Sequence, residues 1–171
     1  LVNIGSNKDF EGFDVLMYHG KSYNFFSDEV ESIRFSGENT SDRTIKIMKF
    51  LLEKRHLAPT HGATLFFPDP NNDDLVIEKV PDFFVCGHIH KTHIAQHGKV
   101  TNVAGSCWQA RSSYQVKVGH DPTPGRVPVV NLKTRAIKIL KFSKNLFQTV
   151  LALLRSKHAL PFSFLLQCRR V

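Results

Sequence analysis

The sequence predicts an α/β domain. Two short apolar runs, Phe13–Tyr18 and Phe83–Cys86, have the length of buried strands, and residues 42–56 between them show helical periodicity. Beyond residue 98 come short segments rich in Val and Ile, separated by Gly, Pro and Lys-Thr-Arg turns, which read as further strands.

Each element has a local reason. Residues 1–12 mix Asn, Gly, Ser and charge and read as loop, with a short strand at Leu1–Ile4. The first apolar run stops at His19-Gly20. Residues 21–40 are polar apart from Tyr23, Phe25 and Phe26, with room for one short helix around Asp28–Ile33. Thr40 or Ser41 is placed to cap the helix over 42–56. Ile45, Met48 and Leu52, joined by Ile47 and Leu51, give that helix a broad apolar face. Lys46, Lys49, Glu53, Lys54 and Arg55 cover the rest, as a solvated surface or, alternatively, as a phosphate-contacting edge.

Pro59 is expected to end the helix, and a long turn-rich loop runs on to Asp74. Leu75–Val80 opens the next ordered stretch. Pro81 precedes the second apolar run, which also ends in histidine, at Gly87-His88-Ile89-His90. Gly98–Val103, Trp108–Val118, Val127–Leu132 and Ala136–Phe142 are expected as strands, the last two as a hairpin. From Ser143 the character changes. Leu146, Phe147, Val150, Leu151 and Leu154 lie at helical spacing, and Pro161 interrupts a later apolar run. Residues 143–171 read either as a partner-binding amphipathic helix or as sequence foreign to the native fold.

Composition narrows the class. Of 171 residues, 42% are hydrophobic and 22% charged, which excludes wholesale disorder. No uninterrupted apolar run reaches the ~18–20 residues of a membrane helix. No basic segment followed by an apolar stretch opens the chain, so a secretory signal is not expected. Leu1 stands where a Met would begin a gene product, so the true N-terminus is expected upstream. Three cysteines (Cys86, Cys107, Cys168) without a CxxC argue for a reducing compartment, and a cytoplasmic location is expected. The formal charge is +8, but residues 143–171 contribute five basic side chains and no acid, leaving the rest close to balanced. Such a body is weak evidence for a polyanionic partner.

The histidines carry the chemistry. There are nine, and two of them directly follow buried strands, where a sheet edge gathers loops and sites. Glycines beside them allow close backbone approach. A His-x-His pair can chelate one metal or address two metals ~3.5–4 Å apart. Imidazole suits Zn, Mn or Fe, ions that generate hydroxide near neutral pH. His19, His88 and His90 are therefore the candidate metal ligands. His93 and His97 follow the motif and read mainly as ordinary surface, as do His120 and His158.

Tyr18-His19-Gly20, then Arg55-His56-Leu57-Ala58-Pro59-Thr60, then Val80-Pro81-Asp82, Gly87-His88-Ile89-His90 and Gly105-Ser106-Cys107-Trp108-Gln109 together resemble one family. It is the small subunit of archaeal DNA polymerase D, among the calcineurin-like metallophosphoesterases, and the resemblance runs over about residues 1–142. It implies the second half of a four-layer α-β-β-α sandwich, with 143–171 as a separate basic, apolar tail. It implies a metal-dependent 3′–5′ exonuclease acting on DNA beside a large catalytic polymerase subunit. Two divalent ions would be bound, Mn foremost with Zn, Fe or Mg as alternatives. His19 and His88 would hold one ion and His90 the other, with Lys21, Arg55 and His56 as phosphate or DNA contacts.

The departures from the family are as informative. The Asp-x-His, Gly-Asp and Gly-Asn-His-Asp motifs of the superfamily do not occur, nor does the acidic pair expected after Tyr-His-Gly, where Tyr23-Asn24-Phe25-Phe26 stands. The chain is thus expected to be the C-terminal part of a catalytic domain, inactive by itself. The alternative is a catalytically inactive scaffold subunit of a DNA polymerase. A small-molecule phosphoesterase is a third reading, opposed by the His-Leu-Ala-Pro segment.

Overall fold

The computed structural model of the chain describes residues 1–35, 40–117 and 121–142. They divide into two compact units: Leu1–Ile89 with His93–Ala104, and His90–Thr92 with the chain from Gly105 onward.

The first unit is built on a mixed five-stranded sheet. β2 (Phe13–Tyr18) and β3 (Phe83–Cys86) occupy the residues the two apolar runs predict. They are parallel neighbours, with Leu16 opposite Phe84 and Tyr18 opposite Cys86. β5 (Val100–Ala104) extends the sheet parallel to β3. β1 (Val2–Ile4) and β4 (His93–His97) close its two edges in antiparallel pairing, giving the order β1-β2-β3-β5-β4. Parallel strands are apolar along their whole length when both faces are covered. Val15 and Leu16, and likewise Phe83 and Phe84, are buried although adjacent side chains point to opposite faces.

Three helices fill the connection between β2 and β3: α1 (Tyr23–Glu29), α2 (Glu31–Arg34) and α3 (Thr40–Lys54). Tyr23, Phe26, Met48 and Leu51 are fully buried with Phe84 and Cys86 in one core cluster. Burial pushes the Cys86 thiol up to about 12, so this cysteine behaves as an apolar core residue. The expected single helix around Asp28–Ile33 is two helices, because Tyr23 and Phe26 draw the first into the core and Val30 adopts an extended conformation between them. α3 begins at Thr40, so Thr40 and Ser41 lie within it and do not precede it as caps. It stops at Lys54, before Pro59, because Arg55 turns to a φ of 55° and the His56 N–H bonds back to the Leu51 carbonyl at 3.2 Å.

Leu75–Val80 forms no strand; its ladder is limited to an isolated bridge between His56 and Val76. Asp14, buried on β2, accepts a hydrogen bond from Asn3 Nδ2 at 2.9 Å and pairs with Lys79 Nζ at 2.5 Å. The Lys79 ammonium foremost, then Asn3, holds the Asp14 carboxyl below its ordinary value. A depressed carboxylate contributes stability above its unfolded-state pKa of ~3.9, and that contribution is lost as pH falls through the folded value. Urea midpoints measured from pH 5 down to pH 2 should therefore fall less steeply in Asp14→Asn than in the native chain. Equal slopes would contradict the assignment.

In the second unit, β6 (Arg126–Val130) and β7 (Ile137–Lys141) form the expected antiparallel hairpin. Asn131 closes its turn: the side-chain oxygen accepts from the Lys133 and Thr134 backbone N–H groups, and its own N–H bonds to the Ala136 carbonyl at 2.8 Å. The strand expected at Trp108–Val118 is corrected by α4 (Ser113–Lys117). Tyr114 and Val116 favour strands, but Ser112 and Gln115 satisfy each other's backbone N–H groups in a capping box that starts a helix. His120 and residues 143–171, with the expected tail helix, lie outside the described residues. No helix among the described residues is long and apolar enough to cross a membrane.

Candidate functional site

Because β2 and β3 run parallel and in register, the residues that follow them leave the sheet at the same edge. His19 follows β2, and His88 follows β3 after Gly87. Their rings meet, with His19 Nε2 3.2 Å from His88 Nδ1 and the ring centroids 5.1 Å apart at 68°. Two of the histidines singled out in the sequence thus meet across a chain separation of 69 residues.

The backbone is shaped around this contact. The Gly87 N–H bonds to the His19 carbonyl at 3.2 Å, tying the two turns together. Gly20 has a φ of 101°, and a β-carbon there would lie 3.2 Å from His88 Cβ, so glycine serves both conformation and approach. His88 itself adopts a φ of 68°. Left-handed backbone at a non-glycine residue carries strain of ~1–3 kcal/mol and is concentrated at functional sites.

His19 is exposed as a residue, yet partial shielding of its ring and then the charge of Lys21 lower its pKa below the ordinary imidazole value. Both effects favour the neutral imidazole, the form that ligates metal. Two nitrogens each ~2.0–2.1 Å from one ion, at angles between tetrahedral and square, stand roughly 2.8–3.4 Å apart. The observed 3.2 Å suits a shared cation as well as a ring-to-ring hydrogen bond.

His90 belongs to the second unit. Its Nδ1 is 2.9 Å from Gln115 Nε2, its carbonyl accepts the Thr123 N–H at 2.9 Å, and its φ is 59°. Gln115, buried to 6% exposure, was not among the residues the sequence pointed to. The Ser-x-x-Gln spacing of its capping box was the available signal.

The proposed phosphate contacts differ in their commitments. Lys21 is exposed. Arg55 donates from Nε to the Ile77 carbonyl at 2.7 Å and from Nη2 to the Glu78 carbonyl, clamping the turn after α3. His56 Nδ1 accepts the Ala58 N–H at 2.9 Å, which leaves the neutral ring's proton on Nε2, 2.9 Å from Asp73 Oδ2. His93 and His97 are four residues apart along β4, ~13 Å at strand rise, and so form no pair with each other. His97 Nε2 stands 4.0 Å from Glu53 Oε1.

A two-ion centre needs carboxylates as well as imidazoles. Among the described residues no group of three or more His, Cys, Asp or Glu side chains is arranged to hold a metal ion. The imidazoles present fit part of such a centre and do not complete it, so no metal-dependent step is assigned to this chain alone.

Fold and site together define an α/β protein with paired histidines at the ends of adjacent parallel strands. No family model matches the chain. It is 37% identical over 133 residues to the DNA polymerase II small subunit of Halobacterium salinarum, covering 78% of this chain and 25% of that protein. To the DNA polymerase II small subunit of Archaeoglobus fulgidus it is 38% identical over 121 residues, 71% of this chain and 24% of the relative. To that of Pyrococcus horikoshii it is 38% identical over 135 residues, 78% and 21% respectively. Over roughly three quarters of its length, the chain is homologous to archaeal DNA polymerase II small subunits. It spans about a quarter of the length of the curated relatives it matches.

Proposed function

We propose that this chain is part of the small subunit of an archaeal DNA polymerase, and that the complete subunit is a metal-dependent 3′–5′ exonuclease of the metallophosphoesterase class. The same proposal includes the four-layer α-β-β-α fold of that class. The homologues support the polymerase relationship. The observation that carries the exonuclease reading is the His19–His88 pair, held at 3.2 Å by two parallel strands and two strained or glycine-bearing turns.

On this reading His19 and His88 hold one divalent ion, and the resemblance alone assigns His90 to a second. Mn is the first expectation, with Zn, Fe or Mg as alternatives. Bound ions of this kind activate water and neutralise phosphoryl charge. The chain's own part is to present neutral imidazoles at fixed spacing. Lys21 places an ammonium group near His19, suited to attracting a phosphate. Arg55 and His56 have polar atoms committed within the chain and would contribute to DNA contact chiefly by holding the turn. The test is Mn²⁺-dependent release of nucleotides from the 3′ end of single-stranded DNA by the full-length subunit. Absence of release under those conditions would overturn the reading.

The second reading is a non-catalytic scaffold subunit of a DNA polymerase, in which the paired histidines have no chemical task. Both readings require a large polymerase subunit as partner and place the complex on DNA. The tail, offered by the sequence as a partner-binding segment, lies outside the described residues. Among those described, Leu65 is 100% and Phe67 91% exposed, with Phe66 half-exposed between them, and this apolar triplet is included in the proposed interface with the large subunit. Replacing all three by Ser should weaken association with the large subunit by about tenfold or more, while the melting temperature stays within a few degrees. Unchanged association would remove this loop from the interface.

A further inference from the structure

We infer that Gln115 is a positioning residue that latches His90 in one tautomer, and that the latch is built from the cap of α4. The chain of contacts lies within the second unit. Ser112 Oγ accepts the Gln115 backbone N–H at 3.2 Å, and Gln115 Oε1 accepts the Ser112 backbone N–H at 2.9 Å. An N–H group can only donate, so the Gln115 oxygen is fixed toward Ser112 and its amide NH₂ is turned to His90, 2.9 Å from Nδ1. The NH₂ group donates, so Nδ1 is the acceptor and the neutral ring carries its proton on Nε2.

The His90 backbone is held as well, since its carbonyl takes the Thr123 N–H at 2.9 Å and the neighbouring Thr92 N–H bonds to Thr123 Oγ1 at 2.9 Å. Rotating the ring cannot release the tautomer without losing the Gln115 bond. Rotating the Gln115 amide would set NH₂ against the Ser112 N–H, two donors facing each other, and would break the capping box. Histidine ligands normally offer one nitrogen to the metal while the other donates N–H to a carboxylate or carbonyl. His90 is held in the opposite sense. Loading a metal on Nε2 therefore costs either the His90–Gln115 hydrogen bond or the capping box of α4. That consequence rests on reading His90 as a ligand; the latch itself does not.

The decisive variant is Gln115→Glu. Glutamate is the other residue that completes a Ser-x-x-Glu/Gln box, so the helix cap is kept while the donor facing Nδ1 becomes an acceptor. With ¹⁵N-labelled histidine in the metal-free full chain, the native protein should show the proton of His90 on Nε2, and Gln115→Glu should move it to Nδ1. Titrated with Zn²⁺ and followed at the His90 ring signals, Gln115→Glu should bind about 10–100-fold more tightly than the native chain. The proton on Nδ1 in the native chain would overturn the latch, as would an unchanged tautomer in a folded Gln115→Glu. A reversed tautomer whose Zn²⁺ affinity is indifferent to His90→Ala would uphold the latch and remove His90 from the ligand set.

Discussion

His88→Ala, made in the complete subunit, is expected on the proposed exonuclease reading to lower a Mn²⁺-dependent nuclease rate by at least about 100-fold while leaving folding stability within about 1 kcal/mol of the native protein. The rate expectation follows from ligand loss, which exceeds the ~10–100-fold typical of losing only a group that orients a ligand. The stability expectation follows from position. His88 lies beyond the last strand residue, half-exposed, with its ring against that of His19, itself exposed. Removing it excavates no core. It also relieves little strain, because alanine in the same left-handed backbone is no better accommodated than histidine. His19→Ala should repeat the pattern. A variant that digests single-stranded DNA at the native rate would favour the scaffold reading, in which the pair has no chemical task.

Phe84→Ala should do the reverse. Phe84, four residues earlier and within β3, is fully buried and packed in the cluster with Met48 and Leu51. Truncating a buried phenylalanine costs about 3–5 kcal/mol, the lost transfer energy plus the cavity left behind. Against a total of ~5–15 kcal/mol this is a large fraction of the stability. The variant should melt well below the native protein, and its remaining activity should follow the folded fraction. Urea denaturation measured alongside the nuclease rate separates the two behaviours. A loss below about 1 kcal/mol would mean that the core described here is not the one that holds the sheet together.

Much of this arrangement was legible in the sequence for a definite reason. Phe83–Cys86 is apolar without interruption and Phe13–Tyr18 is broken only by Asp14, a pattern suited to strands buried on both faces, and each is followed by histidine. Parallel register then brings His19 and His88 together without further information. β4 was not legible, because His93-Ile94-Ala95-Gln96-His97 offers little alternation and takes its structure from pairing with β5. α4 was misread because side-chain propensity at Tyr114 and Val116 competes with a cap that lies outside those residues. Arg55 and His56 looked available for phosphate because their partners, Ile77, Glu78 and Asp73, come from a loop 17 to 23 residues further on. Local sequence specifies which side chains are polar; tertiary contact decides which of their atoms are already used.

The most direct test of the His19–His88 assignment is an anomalous-scattering map of the full-length subunit crystallised with Mn²⁺. A shared ion should give a peak about 2.0–2.3 Å from both His19 Nε2 and His88 Nδ1. Mn²⁺ bound elsewhere in the protein, with these two nitrogens still joined to each other by a hydrogen bond, would contradict it.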